Sequence, residues 1–196
     1  MYKSVLDYFE ETVKRVPEKK AIRHNEDDCT FAMLQEQAQK LGSYMIELVG
    51  DIKNRPIVVL LPKSMDAVVA DLGISYSCNI FNNLDVKTPV HRLENIIKLL
   101  KPVMVITNNA YKDMLSWQEY DVKLLNLDET VLCDININAE ELEKRRKELI
   151  DTDPFCIINT SGSTGTPKGV VLNYKSFFDF VTWADETFSF DGNEVI

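Results

Sequence analysis

The sequence predicts an α/β fold, a mainly parallel sheet flanked by helices, and three observations predict it. Short, continuous apolar runs (IVVLL at 57–61, VMVIT at 103–107, FCIIN at 155–159) sit between polar or proline-marked stretches, the pattern of strands buried on both faces. Between such runs lie longer segments whose apolar residues recur at helical spacing. Strands alternating in this way with helices of about ten residues or more require crossover connections, and crossovers make parallel sheets.

Taken in order, Val5, Leu6, Phe9, Val13 and Val16 share a helical face up to Pro17, which predicts a helix over 3–15. AIRH and CTF are short strands around the polar turn NEDD. Leu34, Ala38, Leu41, Met45 and Leu48 predict a helix over 31–49, closed by Gly50. After the strand at 57–61, MDAVVADLGIS reads as a helix, NIFNNL as a strand, and VHRLENIIKLL as a helix stopped by Pro102. The strand VMVIT, a poorly defined helix near YKDMLSW and the strand VKLLNL follow. AEELEKRRKEL, at 139–149, is so highly charged that a solvent-facing helix or linker is expected. FCIIN and VVL are strands on either side of a polar loop, and YKSFFDFVTWADETF is helical. Trp183 and the phenylalanines around it, at helical spacing, read as core. Glu194, Val195 and Ile196 resemble the start of a further strand, so the chain is expected to be part of something longer; a frayed tail on a complete domain is the alternative.

Composition narrows the function classes. Lys plus Arg number 22 against 31 Asp plus Glu, a net charge of −9, which argues against a broad electrostatic footprint for nucleic acid or anionic lipid. No run of 18 apolar residues suggests a membrane span. Cys29, Cys78, Cys133 and Cys156 are widely separated, and the histidines are His24 and His91 alone, too far apart to suggest a dyad. No metal site is expected; four buried free thiols in a reducing, cytoplasmic compartment is the reading.

The segment that carries chemistry is TSGSTGTPKG, residues 160–169. Gly162, Gly165 and Gly169 leave backbone N–H groups open to a close ligand. Thr160, Ser161, Ser163, Thr164 and Thr166 supply hydroxyl donors, Lys168 a mobile positive charge, and Pro167 restricts the turn. Successive amides in such a turn form an anion-binding concavity, and polyphosphate is the obvious anion. A plain hairpin connection is the bland alternative, but hairpin loops usually take about two to five residues. A Walker A loop does not fit, because Pro167 occupies the place of its second glycine and Gly169 follows the lysine; G-x-G-x-x-G is absent.

TSGSTGTPKGV resembles the phosphate-binding signature of the acyl-adenylate-forming superfamily, which includes peptide-synthetase adenylation domains, D-alanine:carrier protein ligases, acyl-CoA synthetases and luciferases. Other stretches resemble that family in order and spacing. CTFAMLQEQAQKLGSYM is similar to its early T-Y-x-E-L helix. YSCNIFNNLDVKTPVHRLENII is similar to its G-A-x-Y-V-P-L-D-P stretch, with Leu84, Asp85, Pro89, Arg92 and Leu93 in step. SFFDFVTWADETFSF is similar to the segment after the loop in amino-acid-activating members, with Phe180, Trp183 and Phe188 on its aromatics. Departures are Cys78 and Asn79 in place of small residues, Asn82-Asn83 in place of Val-Pro, Asn159 where Tyr is common, and Tyr174 where many acyl-CoA ligases have His.

The resemblance implies the first portion of the large N-terminal domain of an adenylate-forming enzyme. Residues 1–196 would be its truncated nucleotide-binding portion, without the rest of that domain or the small C-terminal domain. It implies ATP and Mg2+, a small carboxylic or amino acid substrate, and an acyl or peptidyl carrier protein, or CoA, as thiol acceptor. Thr160, Ser161, Gly162, Ser163, Thr164, Gly165, Thr166, Lys168 and Gly169 would bind the ATP phosphates, and the catalytic residues would lie beyond residue 196. Such a piece alone is expected to be inactive. Asp85 is expected to fix a turn and Arg92 to make an ion pair. Amino-acid activation for a carrier protein is the leading reading; an acyl-CoA synthetase for a fatty or aromatic acid, or a non-catalytic nucleotide-binding module, are the alternatives.

Overall fold

The computed structural model describes residues 2–24, 27–160 and 168–190, the side chains of His24 and Asp27 excepted. The turn residues 25–26, the loop residues 161–167 and the strand expected at 194–196 lie outside the described residues.

The centre of the molecule is a six-stranded sheet in the order β6-β5-β3-β4-β7-β8. Its strands are β3 (Pro56–Val59), β4 (Ile80–Asn83), β5 (Met104–Thr107), β6 (Lys123–Asn126), β7 (Pro154–Thr160) and β8 (Lys168–Asn173). The first five are parallel, and β8 returns antiparallel to β7. A separate antiparallel pair, β1 (Lys20–His24) and β2 (Asp27–Thr30), joins the first two helices, α1 (Val5–Arg15) and α2 (Phe31–Val49).

Alternation along β3 explains why its sequence is apolar throughout. Ile57 and Val59 pack with Leu41, Met45, Val69 and Ile74 on the face covered by α2 and α3 (Met65–Tyr76). Val58 and Leu60 face the other way, against Leu93, Ile96 and Ile97 of α4 (Val90–Leu100) and the buried Trp117. With both faces covered, no polar residue is tolerated on the strand. Helix ends follow local chemistry: Thr30 Oγ1 accepts from Met33 N, Ser64 Oγ from Ala67 N, and Gly50 closes α2 in the left-handed region at φ +74°.

Four expectations are corrected. The segment around 111–117 is a run of turns with a 3-10 turn at Trp117–Glu119, without an α-helix. Helix α5 (Ala139–Glu148) is not simply solvent-facing: Leu142 packs with Leu6, Ala38 and Tyr76, and Arg145 is 1% exposed. Of the cysteines, Cys29, Cys78 and Cys156 are buried but Cys133 is exposed. In α6 (Tyr174–Phe188), Phe180, Trp183 and Phe188 are 60%, 53% and 60% exposed, so these rings are surface among the described residues. They stack on one another instead, with ring centres 5.8 and 5.9 Å apart. Among the described residues no helix is long and apolar enough to cross a membrane.

Candidate functional site

Connections leave the sheet in opposite directions at one point. From β4 the chain turns through α4 and crosses β3 to reach β5; from adjacent β7 it turns the other way, into β8. The carboxyl ends of two parallel strands whose connections diverge are the standard place for a ligand crevice in an open α/β sheet. A cleft of about 530 Å3 lies there, lined among others by Asn83, Leu84, Asp85, Thr88, Arg92 and Asn159.

The glycine- and hydroxyl-rich segment is rooted beside this cleft. Asn159 pairs with Gly169 and Thr160 with Lys168 across the β7–β8 hairpin, and Thr160 Oγ1 donates to Lys168 O at 3.4 Å. Thr160, Lys168 and Gly169 are exposed. Gly169 has a packing reason to be glycine, since a Cβ there would stand 3.0 Å from Ile157 Cγ2. Ser161, Gly162, Ser163, Thr164, Gly165, Thr166 and Pro167 lie outside the described residues. Of the expected phosphate-binding set, the structure therefore brings together Thr160, Lys168 and Gly169 at the hairpin's end.

Side chains around the root are tied by hydrogen bonds from asparagine amides. Asn82 is fully buried; its Nδ2 donates to Ile157 O at 2.7 Å and its Oδ1 accepts from Asn159 Nδ2 at 3.0 Å. Asn83 Nδ2 donates to Asp71 Oδ2 at 2.8 Å, and Asp71 Oδ1 is buried with no hydrogen-bond partner among the described residues. Burial pushes the Asp71 carboxyl up to about 7, with the Asn83 bond opposing the rise.

Asp85 does fix a turn, as expected: its Oδ1 accepts from Lys87 N at 2.8 Å, and its carbonyl accepts from Thr88 N at 2.8 Å. Arg92 departs from expectation, for it makes no ion pair among the described residues and lines the cleft together with Asp85. Tyr174 is 1% exposed and packs on Phe155 with ring centres 5.1 Å apart, so burial raises its phenol pKa and it takes no part in the cleft. Burial likewise pushes the Cys78 thiol up to about 12. In the sequence Asn82 and Asn159 stand 77 residues apart as two separate departures from the family pattern. Their pairing is not visible in the sequence, where the one signal is that both are amides at positions where the family has apolar or aromatic residues.

A second groove, between α1 and α5, is lined by side chains of both signs, including Asp7, Glu10, Lys14, Glu143 and Arg146, and contains none of the expected site residues.

Residues 9–196 match the AMP-binding enzyme family. Among curated relatives, the chain is 31% identical over 186 residues to a dimodular nonribosomal peptide synthase of Bacillus subtilis (strain 168), covering 95% of this chain and 8% of that protein. It is 28% identical over 196 residues to the D-alanine--D-alanyl carrier protein ligase of Listeria welshimeri serovar 6b, covering 96% of this chain and 36% of that ligase. The chain thus spans little more than a third of such a ligase. Among solved structures, the nonribosomal peptide synthetase FmoA3 superposes with a TM-score of 0.79 at 19% identity, over 95% of this chain and 19% of that one. VinN in complex with 3-methylaspartate gives 0.79 at 20% identity, over 96% and 53%. At these identities the structural likeness speaks for the fold.

Proposed function

The chain belongs to the AMP-binding enzyme family, and from that membership we propose that the whole protein joins a carboxylate to ATP as an acyl-adenylate and releases pyrophosphate. An amino acid is the proposed carboxylate, and the phosphopantetheine thiol of a carrier protein the proposed acceptor. The observation that supports this reading is the hairpin end at the sheet's crevice. Thr160 directly follows Asn159, which lines the cleft, Lys168 pairs with Thr160 across the hairpin, and between them runs a segment of glycines and hydroxyls suited to phosphate. The relatives named for peptide synthesis and for D-alanine favour an amino acid.

The chemistry asks for little acid–base help. A carboxylate is a weak nucleophile approaching a highly charged triphosphate, so alignment and charge neutralisation dominate the barrier. In this proposal the amides and hydroxyls from Thr160 to Thr166 hold the β- and γ-phosphates, Lys168 offsets charge on the departing pyrophosphate, and Gly169 lets the hairpin close. Arg92 adds positive potential across the cleft. For Mg2+ the described lining residues do not make a site: Asp85 is the one carboxylate there, and its Oδ1 already accepts from Lys87 N. The catalytic groups of the family are proposed to lie outside residues 1–196, so that this piece alone gives no turnover.

ATP–pyrophosphate exchange by the whole protein across amino acids and fatty acids tests the substrate class. Exchange with a fatty or aromatic acid and CoA, but with no amino acid, would replace this reading with an acyl-CoA synthetase. Substituting Gly162 and Lys168 together should collapse ATP affinity or the exchange rate. Unchanged kinetics would remove the phosphate-holding role.

A further inference from the structure

The geometry points to the Asn82–Asn159 side-chain pair as a positioning device for the glycine- and hydroxyl-rich segment, an inference that rests on the phosphate-holding reading above. Strands β4 and β7 are parallel neighbours, yet they share a single registered main-chain pair, Phe81 with Cys156. The cleft lies at their carboxyl ends, lined by Asn83 and Asn159. There the lateral tie is made by side chains: Asn82 Nδ2 to Ile157 O at 2.7 Å, and Asn159 Nδ2 to Asn82 Oδ1 at 3.0 Å.

This tie is directional in a way an apolar contact would not be. Asn82 is 0% exposed, so its amide has no water to fall back on; if Asn159 moved away, Asn82 Oδ1 would be left buried and unpaired. The arrangement therefore fixes both the sideways position and the rotation of Asn159. Asn159 in turn precedes Thr160 directly and pairs with Gly169 across the hairpin, so both ends of the segment are held by the same residue. A displacement of about 1 Å at such a root is enough to spoil phosphate alignment. Asn82 and Asn159 act through the segment and touch no phosphate themselves; they are positioning residues.

The test uses the whole protein with Asn159→Ala, Asn82→Val and the double variant, reading apparent KM for ATP, KM for the carboxylate, kcat in ATP–pyrophosphate exchange, and the thermal midpoint. Each single variant should raise KM for ATP about two- to tenfold, the worth of one net hydrogen bond, and leave the carboxylate KM unmoved. The double should cost no more than the worse single, because the two share one contact. A purely structural pair would instead lower the thermal midpoint with KM for ATP unchanged, and that result overturns the inference. So does a double variant whose effect is the product of the singles. Should Asn82→Val fail to fold, Asn159→Ala, at a half-buried position, decides alone. Lys168→Ala in the same assay separates the two layers. If it leaves both KM for ATP and kcat unmoved, the phosphate-holding reading falls; if it acts while the asparagine variants do not, only the pairing inference falls.

Discussion

Arg145 Nη2 donates to Asp51 Oδ1 at 3.0 Å, and that ion pair is the lesser part of what the guanidinium does. Nη2 also reaches Gly50 O, Nη1 reaches Ile52 O and Ser77 O, and Nε reaches Glu141 Oε1. A fully buried arginine thus closes the loop after α2 and the turn after α3 onto α5. Asp51 is 75% exposed and would rehydrate if the arginine were lost; the carbonyls of Gly50, Ile52 and Ser77 would each lose one buried donor and keep a second, Ile52 N for the first and Asn79 Nδ2 for the other two. Arg145→Met should therefore lower stability by about 1–3 kcal/mol, and Arg145→Lys should recover only part of it, since an ammonium cannot match a planar fork. Urea unfolding midpoints at constant slope would measure both.

Gly42 lies where α2 crosses α3. A Cβ there would stand 2.9 Å from Tyr76 Cβ and 3.0 Å from Gly73 O, neither of which is a movable side-chain tip. Alanine gains about 1 kcal/mol over glycine in helix propensity, but overpacking costs about 1–3 kcal/mol and also forces the helices apart. Gly42→Ala should be net destabilising, seen as a lower thermal midpoint. A rise would show that the helix pair relaxes freely.

Asp71 makes stability depend on pH in the direction opposite to most carboxylates. Its folded pKa is raised to about 7 by burial, from an ordinary carboxylate value in the unfolded chain. The folded state therefore holds a proton that the unfolded chain has lost. Stability from this group is fully present below about pH 4 and falls as pH rises through about 7. Asp71→Asn keeps an acceptor for Asn83 Nδ2 and removes the titration. The variant should match the parent near pH 4 and exceed it near pH 8 by on the order of a few kcal/mol. Equal pH profiles for the two proteins would refute the assignment.

How much could be read beforehand follows from how local each signal is. The helices at 31–49 and 90–100 were legible to the residue because stripe and stop coincide within one segment, Gly50 ending the first and Pro102 following the second, although the strand read over CTF runs one residue into the first helix, which Thr30 caps. Strand β3 was legible because burial on both faces leaves a continuous apolar run. Helix α5 was misjudged because its charges dominate the composition, while one arginine turned inward, matched to acceptors dozens of residues away, leaves no local trace. The site was half legible. The segment at 160–169 declares its chemistry in its residues, but the amide tie beneath it joins positions 77 apart in sequence. Periodicity likewise put the α6 aromatics on shared faces without saying what, if anything, covers them.

The two tryptophans give a direct optical reading of that last point. Trp117 is buried, and its indole N–H donates to Lys112 O; Trp183 is 53% exposed on α6. In the 196-residue chain, Trp183→Phe should leave blue-shifted emission that acrylamide quenches poorly. Trp117→Phe should leave red-shifted emission quenched several-fold more strongly. Similar quenching in both would mean that the α6 face is covered already, by a second copy or by the described core in another packing. Run on the whole protein, the same pair of variants reports whether further chain shields Phe180, Trp183 and Phe188. Exposed rings of this size are costly to leave against water, so a fall in Trp183 quenching to the level of Trp117 is the expected outcome there.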